Sequence, residues 1–443
     1  MSWRRSPVRF EDLAGKRVVI WGAGREGRAA HAELAGRGVP STIVVTGSGT
    51  PPEGVLGGDA AWAALTEADA IVKSPGIPHT SPEYVALSEK GAAITSLTDL
   101  WLSENRDKVI AVTGTKGKST TSALVQHILR GTGHTAELAG NIGIPVGPRV
   151  GDDVDCAVTE ISSYQAAELS ASPRVAVLTS LYPEHLPWHG GYDRYVADKL
   201  NLLAHGPETI VLPAHTGELA ERARGIAGDA RIVVPADLGI RVTDDELAWE
   251  GAGSVALADI ALVGSHNLAN AALALAAVDA YAPGLDRAAA LAAVADFSPL
   301  AHRLEVVPST DGRTWIDDSL ATAPQAVAAA LTSVSAPRLA LVMGGAERDL
   351  PFDALIDALA GRDDVTVVCT GPAGSRFARD AEGRVPRLRT AAGFRDALEV
   401  ARTVTGAGDT ILLSPGAPSF DEFTDYEARA AAFRQAASDS TPH

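Results

Sequence analysis

The residues best suited to chemistry lie at 114–120, "GTKGKST", between the apolar run "KVIAVTG" and a helical stretch. A strand, a Gly-rich turn and a helix opening on Lys-Ser-Thr describe a phosphate cradle. Gly114 and Gly117 permit close backbone approach, and N–H groups at the helix start point at the anion. Lys118 could neutralise phosphate charge, and the Ser119 hydroxyl could reach Mg²⁺. The strict pattern G-x-x-x-x-G-K-[ST] is not met, because Val112 occupies the first glycine position. An ordinary glycine turn is the competing reading of this loop alone.

A second motif, "WGAGREG", sets Gly22, Gly24 and Gly27 in a G-x-G-x-x-G spacing after a strand. Read alone it predicts a dinucleotide, and hence an NAD(P) oxidoreductase. Two features weaken that rival. The next apolar run, "STIVVTG", lacks the acidic residue that would take an adenosine ribose, and a separate phosphate loop follows downstream. Further polar clusters are "EISSYQ" (Glu160 to Gln165) and "LYPEHLPWHGGYDRYVADKLNLL", with Glu184, His185 and Lys199. "GSHNLAN" places Asn267 and Asn270 three apart, on one face of a helix turn. "AHRLE" supplies Arg303, "WIDDSLATAP" Asp317 and Asp318, "VMGGAERD" Arg348, and "LLSPGAPSFDEF" Ser414 and Ser419. Each cluster has a bland reading as a strand end, a loop or a cap. Seven such clusters in a fixed order are harder to dismiss.

The elements that must position these residues follow from the apolar pattern. Short β-branched runs such as "RVVIWG", "DAIVKSPG", "CAVTEISS", "LALVMGG" and "TILLSPG" alternate with Ala/Leu-rich helical stretches. Such runs imply buried parallel strands joined by helical crossovers, so the fold class is α/β. Three units are expected, over residues 1–107, 108–300 and 301–443, with short strands inside the second at "GIAGDARIVVPADLGIRVTDDELAWEGAGSVALADIALVG". The net charge of −17 argues against a general nucleic-acid binder, which needs a basic face. Two distant cysteines, Cys156 and Cys369, read as buried thiols rather than a disulfide or metal set. The opening residues lack the apolar stretch of a signal peptide, and no window matches a membrane helix, so a cytoplasmic protein is expected. The tail "AASDSTPH" is expected to fray.

In their order, "GTKGKST", "EISSYQ", "GSHNLAN", "HRLE", "DDSLAT" and "SPGAPSFDEF" resemble the Mur ligases, and most closely their glutamate-adding branch. These are ATP-dependent amino-acid ligases of peptidoglycan-precursor synthesis. The resemblance spans almost the whole chain. It implies a Rossmann-like N-terminal domain for a UDP-sugar, a central P-loop ATPase domain and a Rossmann-like C-terminal domain. It also implies a reaction: a carboxylate of UDP-N-acetylmuramoyl-L-alanine is phosphorylated by ATP, and the acyl phosphate is captured by the amine of glutamate. By the same resemblance Gly114, Thr115, Lys116, Gly117, Lys118, Ser119 and Thr120 hold the triphosphate. Asn267, Asn270, Arg303 and Asp318 are nucleotide contacts. Ser119 and Glu160 resemble ligands of one Mg²⁺, and His185 a ligand of a second, assisted by Lys199, which matches a carbamylated lysine. Lys118, Glu160, His185 and Lys199 form the implied catalytic set. Gly22, Gly24, Gly27, Ser74, Pro75, Gly76, Asn141 and Gln165 match the UDP-sugar site, with Gln165 at the muramoyl part. No nucleic-acid or membrane partner is implied, and a monomer is expected.

The chain departs from the usual glutamate-adding pattern at three places. Lys116 stands where asparagine is usual, Leu320 replaces a lysine, and "GGAERD" offers Arg348 where another lysine is expected. Glutamate brings two carboxylates that need cations or amide donors when desolvated. A rebuilt pocket, drawing on Thr322, Arg348, Ser419 and Phe420, is therefore expected. "LYPEHLPWHGG" and "SPGAPSFDEF" resemble a side branch that adds L-glutamate, which is favoured here over D-glutamate. A folylpolyglutamate synthase-like ligase and a regulatory nucleotide binder are the remaining alternatives.

Overall fold

A computed structural model describes residues 8–47, 51–142, 144–147, 150, 153–260, 266–298, 302–334, 336–348 and 350–439. The expectations about the first residues and the end of the tail, and the Gly264–Ser265 start of "GSHNLAN", lie outside them. The chain forms two compact units, Met1–Ser298 and Pro299–His443.

The first unit holds two parallel sheets. Strands β1 (Val18–Trp21), β2 (Ser41–Val44), β3 (Ala70–Lys73) and β4 (Ile94–Thr95) lie in the order β2-β1-β3-β4. A larger sheet combines β5 (Val109–Thr113), β6 (Ala136–Gly140), β7 (Cys156–Glu160), β8 (Val175–Leu178), β9 (Thr209–Val211) and β10 (Arg231–Val233), in the order β10-β9-β8-β5-β7-β6. β1, β3, β5, β7 and β8 are buried along their whole length, which is why they read as unbroken apolar runs. Both glycine motifs follow the strand at which the sheet order reverses, β1 in one and β5 in the other. In open parallel sheets ligands gather at the carboxyl end of such a strand. One apolar core joins the two sheets, with Leu97, Leu100 and Trp101 of the helix Leu97–Asn105 packed together with Ile20, Val72, Val109 and Ala139. The expected short strands are β11 (Ile240–Val242), β12 (Glu246–Trp249) and β13 (Gly253–Ala256), paired antiparallel.

The second unit carries β14 (Glu305–Val307), β15 (Thr314–Asp317), β16 (Leu339–Gly344), β17 (Val365–Thr370), β18 (Leu388–Thr390) and β19 (Thr410–Leu413), in the order β14-β15-β19-β16-β17-β18. Only β14 runs antiparallel to its neighbour. Apolar clusters around Leu341 and Ala340 cover the sheet's two faces, as alternation along β16 requires. β15, β19 and β16 are adjacent. The loops leaving their carboxyl ends carry Asp318, Ser414–Phe420 and Arg348.

Candidate active site

The phosphate loop turns from β5 into the helix Lys118–Gly131, whose N-cap is Gly117 in a left-handed conformation (φ 85°). A Cβ there would come within 2.4 Å of the Asn270 Oδ1, so only glycine fits. The Lys118 ammonium folds over the loop and donates to the carbonyls of Gly114 and Thr115, each at 3.0 Å. Lys199 Nζ donates to the same Gly114 carbonyl at 2.9 Å. The Ser119 hydroxyl donates to Glu160 Oε2 at 2.5 Å, and Asn141 Nδ2 to Glu160 Oε1 at 2.6 Å. Glu160 ends β7, and β7 pairs directly with β5, which brings the carboxylate beside the helix start. On the loop's flank Lys116 Nζ meets Glu184 Oε1 at 2.8 Å. Lys116 thus has a carboxylate partner in the stretch that carries His185.

Lys199 is 2% exposed, so a solvated helix lysine is ruled out. Its burial, and then the nearby Lys118 charge, hold the amine well below the ordinary lysine range. Glu184 is held below the ordinary carboxylate range: partial burial opposes this, but Lys116 prevails. His185 sits in the left-handed region (φ 56°), a conformation that costs a non-glycine residue about 1 kcal/mol or more. Burial lowers its imidazole, against the pull of Glu184. Asn270 Nδ2 donates to Asn267 Oδ1 at 2.9 Å, which confirms the shared helix face.

The first-sheet residues come together at the β1 and β3 ends. Trp21 and Lys73 are register partners, Ser74 N–H donates to the Trp21 carbonyl at 2.8 Å, and a Cβ on Gly27 would strike the Gly22 carbonyl at 1.9 Å. Arg25 donates to the Asn141 carbonyl at 3.2 Å, and Gln165 Nε2 to Glu26 Oε1 at 2.7 Å. Within the first unit, Gly22, Gly24, Gly27, Ser74–Gly76, Asn141 and Gln165 therefore adjoin the phosphate loop through Asn141.

Within the second unit, Asp318 accepts from Ser414 Oγ at 2.7 Å and from Leu304 N at 3.3 Å, and burial raises its carboxyl to about 7. Arg303 lies nearby and pulls the other way. The loops carrying Thr322, Arg348 and Ser419 are tied together. Gly416 N donates to Ala321 O at 2.7 Å, Ala346 N to Pro418 O at 2.9 Å, and buried Arg429 to Ala417 O and Ser319 O at 3.1 and 3.2 Å. Ser419 is buried, whereas Arg348 and Phe420 are exposed.

Sequence reasoning missed several residues here. Asp198 meets His189 Nδ1 at 2.7 Å, and His189 Nε2 meets Ser163 Oγ at 3.0 Å, all three buried. This chain links the residue before Lys199 to the segment after Glu160; the second histidine of "HLPWHGG" was its only signal. In the second unit His302 Nδ1 meets Asp317 Oδ2 at 2.8 Å. With Glu305 these could hold a metal, but Arg434 already pairs with both carboxylates.

A family model described as the Mur ligase middle domain matches residues 112–278, and one described as the Mur ligase glutamate ligase domain matches 302–416. A protein of Salinispora tropica named UDP-N-acetylmuramoyl-L-alanine–L-glutamate ligase is 39% identical, covering 98% of this chain and 100% of its own. The chain belongs to the Mur ligase family. A Micromonospora protein of the same name is 40% identical over 98% of this chain and 99% of its own. Among solved structures, the UDP-N-acetylmuramate–alanine ligase of Thermotoga maritima covers 95% of this chain and 98% of its own, with a TM-score of 0.53 at 16% identity. That likeness shows the shared Mur ligase fold. The Mur ligase relationship also removes the dehydrogenase reading of the first glycine motif.

Proposed function

We propose that this Mur ligase couples ATP hydrolysis to the addition of glutamate, in the L configuration, to UDP-N-acetylmuramoyl-L-alanine in peptidoglycan-precursor synthesis. One observation carries the reading. Asn141 joins the nucleotide-sugar fingerprint to the phosphate loop, accepting from Arg25 through its carbonyl and donating to Glu160, which itself accepts from Ser119. An acceptor lying along the first-sheet loops would present its alanyl carboxylate at the phosphate loop. The relatives named for this reaction are similar over the whole chain, first sheet included. That favours this reading over a folylpolyglutamate synthase-like ligase.

The residues fit the proposed roles chemically. Ser119 and Glu160 offer hydroxyl and carboxylate oxygens, the hard donors that Mg²⁺ prefers, and His185 is half-exposed nearby. Magnesium there would screen the phosphates from the approaching carboxylate. Lys118 would turn from its loop carbonyls to the γ-phosphoryl group and stabilise its charge as the acceptor carboxylate displaces ADP. The amine of glutamate then attacks the acyl carbon, releasing phosphate and a proton. The neutral amine is the form able to add CO₂ with loss of a proton, and the resulting carbamate would make Lys199 an anionic oxygen donor for a second Mg²⁺. Asn267, Asn270, Arg303 and Asp318 are assigned to the nucleotide, and Thr322, Arg348, Ser419 and Phe420 to glutamate.

On this reading residues 1–107, 108–300 and 301–443 are the UDP-sugar, ATP and ATP/amino-acid segments of a cytoplasmic monomer. Among the described residues no helix is long and apolar enough to cross a membrane. Mass spectrometry of the product from ATP, UDP-N-acetylmuramoyl-L-alanine and L-glutamate tests the reaction. A nucleotide-sugar heavier by one glutamyl residue is expected; unchanged acceptor with ATP consumed would contradict it.

A further inference from the structure

Lys73 ends β3, and its side chain is wholly buried. Its ammonium turns back under the loop that follows, donating to the carbonyls of Ser74 at 3.3 Å and Ile77 at 2.9 Å. The loop therefore closes around a buried cation. Glu168 reaches that cation from the other sheet's side, three residues beyond Gln165, with Oε1 3.1 Å from Lys73 Nζ and its side chain 3% exposed. The same oxygen binds His79 Nε2 at the loop's far end. His79 stacks on Tyr84 with ring centroids 4.4 Å apart, and the Trp188 indole N–H donates to the Gly76 carbonyl at 3.3 Å. The loop is thus held at both ends and in the middle. Burial would raise the Glu168 carboxyl, but Lys73 and His79 hold it down at about 2, so it stays a carboxylate.

We propose that the Lys73–Glu168–His79 cluster is a positioning device that presets the Ser74–Gly76 loop for the nucleotide-sugar and locks it in register with Gln165. None of the three need touch the acceptor; they act through the loop. The proposal rests on the acceptor reading given above. Stability alone is a poor account of the cluster. Replacing a buried ion pair by apolar residues of similar size is often neutral or stabilising, whereas a cation chelating two carbonyls fixes one loop conformation that no apolar side chain could.

That contrast supplies the test. UDP-N-acetylmuramoyl-L-alanine is titrated calorimetrically into the wild type, Glu168→Gln, Trp188→Phe and the double variant Lys73→Met/Glu168→Leu, with melting temperature and the KM of each substrate measured alongside. Glu168→Gln should weaken acceptor binding by about tenfold or more, the scale of one charge-assisted hydrogen bond, while the KM for ATP holds. Trp188→Phe should show a smaller loss in the same direction. The double variant should regain the melting temperature but not the affinity. Acceptor binding at wild-type strength in the double variant, or in all variants, would overturn the proposal alone. No binding to the wild type would sink the acceptor reading and the proposal with it.

Discussion

The glycine-rich loop at the start of the helix Lys118–Gly131 in the first unit and the second unit's loops proposed to hold glutamate are built differently. Ser119, Glu160 and Lys199 are buried and already engaged with one another's segments, through contacts of 2.5 to 2.9 Å. In the second unit the loop backbones are tied together, yet Phe420 is 73% exposed and Leu320 38%. Phosphoryl transfer makes the same demand whatever the acceptor, so its charges can be arranged in advance on strand and helix ends. On the proposed assignment, amino-acid choice is left to side chains at loop tips, which can change without disturbing a core. Leu320 and Arg348, two of the departures from the family pattern, lie on exposed loops of the second unit and fit that division; Lys116, an exposed residue of the glycine-rich loop itself, does not.

If the phosphate end is preorganised, removing one of its charges should hurt most. Lys118→Ala is expected to lower kcat by about 10²–10³-fold or more, with unchanged folding by circular dichroism. A variant with near wild-type turnover would break the contrast. Lys199→Ala should fall comparably, and acetate should restore part of the activity by supplying the missing anionic oxygen. A density map from crystals grown with bicarbonate and magnesium should show extra density on Nζ; an unmodified side chain there would remove the carbamate from the account.

At the glutamate loops the expected effect is smaller and of another kind. Arg348→Ala should raise the KM for glutamate about 10- to 150-fold, the scale of one charge-assisted contact, while the KM for ATP stays put. A fall in kcat alone would move Arg348 out of the pocket. The smallest effect concerns Glu26, which accepts from Gln165 and whose carboxyl burial raises to about 7, against Arg25. A raised carboxyl binds its proton more tightly when folded, so stability falls as pH rises from the ordinary 4.5 to about 7. Glu26→Gln should therefore gain about 1–2 kcal/mol at pH 8 relative to pH 4.5, allowing for partial exposure, measured as a melting-temperature difference. An equal difference at both pH values would show that Glu26 is not held protonated.

What could be read from sequence was local. The runs around Val109–Thr113 and Leu339–Gly344 announced strands because each is buried on both faces. The two glycine motifs announced turns because backbone approach leaves no room for a Cβ. The contact of Asn141 with Glu160 was not legible, since it follows from β6 lying beside β7, a matter of sheet order rather than local pattern. Nothing in the run "DAIVKSPG" marks Lys73 as paired, because its partner Glu168 lies 95 residues further along the chain. The left-handed backbones of His185 and His302 had no signal either, because that region normally announces itself by glycine.

The most direct test of the central claim is phosphate release from ATP with UDP-N-acetylmuramoyl-L-alanine and either L- or D-glutamate, acceptor-free reactions serving as the baseline. Release should require the acceptor and run faster with L-glutamate, by about tenfold or more for each charged contact that the wrong enantiomer loses. A clear preference for D-glutamate would contradict the stereochemical assignment and leave the ligase standing. Release indifferent to the acceptor would contradict the account itself.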